Sequence, residues 1–165
     1  MKNRNYILLM LMLLTSTALF SQTNVNGTAF AEIVPLATIS ESNQLNFGRF
    51  SPLTGGGQIT ISPQGYRQAN GSVILAQGPY WQAKFGVTNS QNWKVSVVLP
   101  SGPQLLYSNN SSNTMFVNGF IALIPETNES TDYNISIGAT LNFGSPEATP
   151  PGLYSGTYQV IFLFD

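Results

Sequence analysis

The 165-residue chain has no cysteine and no histidine, and only 8% of its residues are charged. Each absence closes a class of function. Without cysteine there is no disulfide, no thiolate zinc site and no lipid-modified cysteine. Without histidine there is no Ser-His-Asp or Cys-His machinery and no imidazole metal ligand. Six basic residues against seven acidic ones leave no electrostatic footprint for nucleic acid. The side chains that perform general acid–base work are nearly missing, so a non-enzyme without cofactors is expected. Hydrophobic residues, by contrast, make up 42% of the chain, which is unlike the composition of a disordered protein.

The first residues read as an address. Lys2 and Arg4 form a short positive region ahead of the uncharged stretch Tyr6 to Phe20, centred on the run Ile7 to Leu14. That run is shorter than the roughly 20 apolar residues of a spanning helix, and small and polar residues follow it, as in a cleaved secretory signal. Cleavage is expected after Ala18 or after Ser21, with residues 1–21 as the signal peptide and 22–165 as the domain. Removing Lys2 and Arg4 leaves Arg49, Arg67, Lys84 and Lys94 against seven acids, a net charge of −3. The expected location is outside the cytoplasm: extracellular, at the cell surface or in a periplasm. No stable membrane insertion is expected after cleavage.

The remaining chain is one domain's worth, and its apolar residues recur at period two. Thr28 to Ile39 is extended and apolar, with Pro35 suggesting an edge or a bulge. Gln58 to Ile61 alternates into the turn Ser62-Pro63-Gln64-Gly65. Asn70-Gly71 is the strongest hairpin signal, predicted to join Tyr66–Ala69 to Ser72–Leu75. Trp81, Ala83, Phe85 and Val87 share one face of a strand, and Trp93, Val95, Val97 and Leu99 share one face of the next. Met115 to Ile124 is apolar on both sides, as an inner strand is, and Tyr133–Phe143 and Tyr154–Phe164 complete the count. Short strands with turn signals between them predict an all-β, antiparallel Ig-like β-sandwich in a single domain.

One motif recurs, Leu45-Asn46-Phe47-Gly48 and Leu141-Asn142-Phe143-Gly144. Its simplest explanation is a Leu and a Phe at the core and rim, with glycine turning the chain out of a strand. Other candidate sites reduce to ordinary structure. Glu126, Asn128, Glu129 and Asp132 offer oxygen ligands to calcium, but their spacing matches no EF-hand loop and a solvated turn explains them. No two acids are placed as a glycosidase pair. Gly55-Gly56-Gly57 lacks the Gly-Lys-Ser/Thr ending of a phosphate loop and reads as a flexible strand connection. Tyr66, Tyr80 and Trp81 could stack on sugar rings, although alternation places Trp81 in the core with Phe85.

Several segments in order resemble a family: Leu45-Asn46-Phe47-Gly48, Ile59-Thr60-Ile61-Ser62-Pro63 with Gly65, Phe85-Gly86-Val87-Thr88, Trp93 to Pro100, Gly138 to Leu141, and Pro151-Gly152 to Tyr158. Together they look like the bacterial domain of unknown function 4402 family of exported β-sandwich proteins, from about Ala29 onward. That resemblance carries no catalytic residues. A fainter similarity runs to pilin and spore-coat-U type subunits, whose last strand follows a glycine, alternates, and ends with an aromatic at the penultimate position. Here Gly152, Tyr158, Val160, Phe162 and Phe164 match those positions. The resemblance implies a partner-contact strand that pairs edge to edge with a chaperone or a neighbouring subunit. The last strand of a complete sandwich alternates in the same way.

The chain departs from the pilin pattern in lacking a cysteine pair. Only Gln22 to Gly27 would precede a first strand at Thr28, a short donor segment; otherwise Asn24 to Leu36 is the donor and the domain begins nearer Ile39. The expected function is a non-catalytic exported structural or interaction protein, a subunit of a cell-surface or extracellular assembly. Its expected partners are other protein subunits or a periplasmic chaperone. The alternative is a monomeric secreted carbohydrate- or ligand-binding module.

Overall fold

The computed structural model describes residues 28–31, 37–88, 94–125 and 132–165. The signal segment, Trp93 and the Glu126, Asn128 and Glu129 part of the acidic loop lie outside the described residues. Among the described residues, ten strands fall within one compact unit, Pro35–Asp165. They are β1 (Thr38–Asn43), β2 (Phe50–Ile61), β3 (Arg67–Leu75), β4 (Ala83–Thr88), β5 (Val95–Val98), β6 (Gln104–Ser108), β7 (Thr114–Leu123), β8 (Asp132–Phe143), β9 (Tyr154–Ser155) and β10 (Ile161–Phe164). All pairings are antiparallel, and no helix occurs among the described residues. The fold is an antiparallel β-sandwich of one curled eight-stranded sheet and a small two-stranded one.

Strand β8 organises the large sheet because its sequence alternates without a break. Ile135, Ile137, Ala139, Leu141 and Phe143 face the core, while Asn134, Ser136, Thr140 and Asn142 face away. One edge of β8 pairs with β7; the other pairs first with β4 and then with β2. The core therefore has two parts. Phe47, Ile59, Ile61, Met115, Val117, Ala139, Leu141 and Phe143 form the first. Ala83, Val87, Val95, Ile135 and Ile137 form the second, covered by Val97, Phe162, Phe164 and their neighbours. Leu45 and Phe120 pack against both. Ile59, Ile61, Ile135 and Ile137 are fully buried, and each contributes about 1.5–3 kcal/mol by leaving water.

Both copies of the recurring motif send their Phe into the first core part, where Phe143 also meets Phe50 at 4.6 Å between ring centroids. Gly48, at φ +78, turns the chain between Asn46 and β2, and its amide donates to Asn46 Oδ1 at 2.7 Å. The turn at Ser62–Gly65 and the inner position of β7 match the sequence expectation.

Four local expectations are corrected. Asn70-Gly71 is not a hairpin turn but lies inside β3, whose hairpin with β2 closes at Ser62–Tyr66. Gly71 has φ +90 because it faces a bulge. From Pro52 to Gly57, β2 advances five residues while β3 advances two, from Val73 to Gly71. Gly55–Gly57 thus belongs to that bulge and is not a connection between strands. The predicted final strand is split: β9 pairs with β6, then the chain crosses over and β10 pairs with β5. The first strand among the described residues begins at Thr38, close to the alternative start near Ile39; residues 28–31 are exposed and outside any strand, and residues 32–36 of the expected strand lie outside the described residues.

Candidate interaction surface

The small sheet carries an exposed apolar row. Four residue pairs join its strands: Ile161 to Val98, Phe162 to Val97, Leu163 to Ser96 and Phe164 to Val95. Reciprocal backbone hydrogen bonds of 2.9 Å between Lys94 and Asp165 close the ladder. Directly opposed residues share a face, so Phe162, Phe164, Val95 and Val97 form the inner layer against the second core part. The outer layer is Val98, Ile161 and Leu163, each 47% exposed, with Ser96 among them. Among the described residues no third strand pairs with β5 or β10. Among the described residues the sheet thus presents two unpaired edges and an apolar outer face, and β10 carries neither the charge nor the proline that commonly protects an edge.

Of the partner-contact residues expected from sequence, Tyr158, Val160, Phe162 and Phe164 all pack inward on the second core part. Phe162 stacks on Phe85 at 5.4 Å, and Tyr158 on Phe120 at 5.0 Å. The Tyr158 hydroxyl is buried without a hydrogen-bond partner among the described residues. Burial, reinforced by the nearby Glu41 charge, pushes its pKa up to about 12. Gly152 sits apart from these four, beside Ser108 and Asn109, where Leu153 and Asn109 exchange hydrogen bonds. The outward residues Ile161 and Leu163 are the ones a partner can reach. Counting β10 as apolar on both faces singles them out in the sequence; only the fold shows which side is covered.

The aromatic residues considered for sugar stacking occupy a different region. Trp81 is 39% exposed and lies in neither core cluster, which corrects the expectation that it packs with Phe85. The cause is local: β4 begins at Ala83, and Trp81 instead forms an isolated bridge with Asn46. Tyr80 is engaged by Arg67, whose guanidinium lies 5.3 Å from the ring centre. Arg67 Nη2 donates to the Arg49 carbonyl at 2.7 Å and Nη1 to the Ala76 carbonyl at 3.3 Å. Partial burial lowers the Arg67 pKa. These contacts make Arg67 and Tyr80 a clamp that fastens the start of β3 to Arg49, beside Gly48, and to Ala76 just past the end of β3, leaving Tyr66 exposed beside it.

Asp132 opens β8, and the described residues contain no group of three or more acids positioned to hold a metal. No helix among them is long and apolar enough to cross a membrane. No curated protein and no solved structure matches the chain. The model of the family described as Domain of unknown function (DUF4402) matches residues 37–162, which spans β1 and reaches into β10. The chain belongs to that family.

Proposed function

We propose that this protein is a non-catalytic structural subunit, exported by its N-terminal signal, that assembles with copies of itself through the β5–β10 sheet. The carrying observation is the row Val98, Ile161 and Leu163, exposed on a two-stranded sheet whose edges have no partner among the described residues. Scattered apolar surface residues are normal, but a contiguous row beside an open edge is the arrangement that strand addition or face-to-face packing uses. The large sheet supports this reading by supplying a finished core on which the small sheet can be held rigid.

Hydrogen exchange tests it. Backbone amides of Val95–Val98 and Ile161–Phe164 are expected to gain protection as protein concentration rises, while those of β2 and β8 stay protected throughout. Exchange in the small sheet that is independent of concentration, in a protein that stays monomeric, would contradict the proposal.

A further inference from the structure

A row of uncharged side chains crosses the outer face of the large sheet on five successive strands. In register they are Asn70 on β3, Gln58 on β2, Asn142 on β8, Phe116 on β7 and Leu105 on β6. Four strand intervals of ~4.8 Å make the row roughly 19 Å long. Part of it lines an open depression of about 590 Å³ whose other walls include Gly55–Gly57, Gly71 and Gly144. None of the residues lining that depression is charged.

The polar centre of the row is oriented from below. Asn142 is only 9% exposed, and its Nδ2 donates to the carbonyls of Phe116 at 3.5 Å and Thr140 at 3.3 Å and to Asn118 Oδ1 at 3.0 Å. Two of those partners can only accept, so the Asn142 nitrogen must face them and its oxygen must face Gln58. Gln58 answers by donating Nε2 at 2.8 Å, which leaves Gln58 Oε1 without a partner among the described residues. Asn118 uses its oxygen on Asn142, which leaves its Nδ2 hydrogens similarly uncommitted. The face therefore presents a fixed acceptor and a fixed donor on either side of Asn142. That pair suits hydroxyl groups, which both donate and accept. Phe116, 39% exposed and next in the row, adds an apolar ring for the carbon face of a sugar.

We infer that this face binds a neutral oligosaccharide, lying across the strands from Asn70 to Phe116, with Asn142 as the positioning residue for Gln58 and Asn118. An anionic ligand would find no countercharge in the depression, and an apolar one would leave the amides unpaired. This inference does not rest on the assembly reading, which concerns the other sheet.

The test is a titration of the purified protein with cellohexaose, xylohexaose, maltohexaose and mannohexaose, followed by side-chain amide resonances. At least one hexasaccharide is expected to bind and to shift Gln58, Asn118 and Asn142. Phe116→Ala, at an exposed position, should weaken binding about tenfold without lowering the melting temperature, and Gln58→Ala should weaken it at least as much while also costing some stability, because it leaves the Asn142 oxygen unpaired. Absence of binding by all four sugars at millimolar concentration overturns the inference. So does binding that shifts Tyr66, Tyr80 and Trp81 instead, or equal affinity for an oligogalacturonate.

Discussion

The ring of Phe162, near the chain's end, lies 5.4 Å from the ring of Phe85 on β4, tilted by 58°. This contact joins the small sheet to the large one and ties the last strand to the second core part. Phe162→Ala should therefore destabilise the protein by about 2–4 kcal/mol, since the cavity it leaves lies between the two sheets. Denaturant unfolding of the variant checks this. A loss below about 0.5 kcal/mol would mean that β10 contributes little to the fold.

Tyr158 makes stability depend on alkaline pH. Its folded pKa of about 12 exceeds the ordinary value of 10.0. The folded state therefore holds the phenol proton more tightly than the unfolded state does. That contribution is fully present below pH 10 and is lost as pH rises toward 12. Tyr158→Phe should flatten the decline over that window in thermal melts. At neutral pH it should cost little, because the hydroxyl has no hydrogen-bond partner to lose. An unchanged alkaline decline in the variant would contradict the assignment.

Two glycines should respond oppositely to a methyl group. A Cβ on Gly138 would collide with the Ile61 carbonyl and the backbone of Ser62 and Pro63, whereas one on Gly102 meets nothing within 4 Å. Gly138→Ala should cost about 1–3 kcal/mol through overpacking. Gly102→Ala should be neutral or stabilise by up to about 1 kcal/mol, through reduced freedom of the unfolded chain. Calorimetry of the pair checks the close packing of the Ser62–Gly65 turn onto β8.

Export should shorten the chain. Expressed in a host with a general secretion pathway, the protein should be recovered outside the cytoplasm with a mass that begins at Leu19 or Gln22. Exported material retaining Met1 would contradict the signal-peptide reading.

Strand content was legible in the sequence because period-two alternation reports which side of a strand is buried. In β8 apolar residues alternate with polar or small ones from Ile135 to Phe143. Misreadings arose where a local signal has two structural outcomes. Asn70-Gly71 supplies the positive φ that a hairpin turn needs, but a bulge needs it too, and the choice depends on Gly55–Gly57 across the ladder. Alternation carried Trp81 into a strand that begins two residues later. The amide row was illegible because Asn70, Gln58 and Asn142 are distant in sequence and meet only through strand register. The exposed row on the small sheet was half legible: composition shows β10 to be apolar on both sides, but only the packing of Phe162 and Phe164 reveals that Ile161 and Leu163 remain outside.

The most direct test of the assembly proposal compares two substitutions on opposite faces of β10 by sedimentation velocity over a range of concentrations. The wild-type protein is expected to form oligomers as concentration rises. Leu163→Asp, on the exposed face, should sediment as a monomer while keeping its unfolding free energy within about 0.5 kcal/mol of wild type at a concentration where both are monomeric. Phe162→Ala should lose stability instead, as its place between the sheets requires. A wild-type protein that stays monomeric at every concentration, or a Leu163→Asp variant that assembles as readily as wild type, would contradict a role for the β5–β10 sheet in assembly.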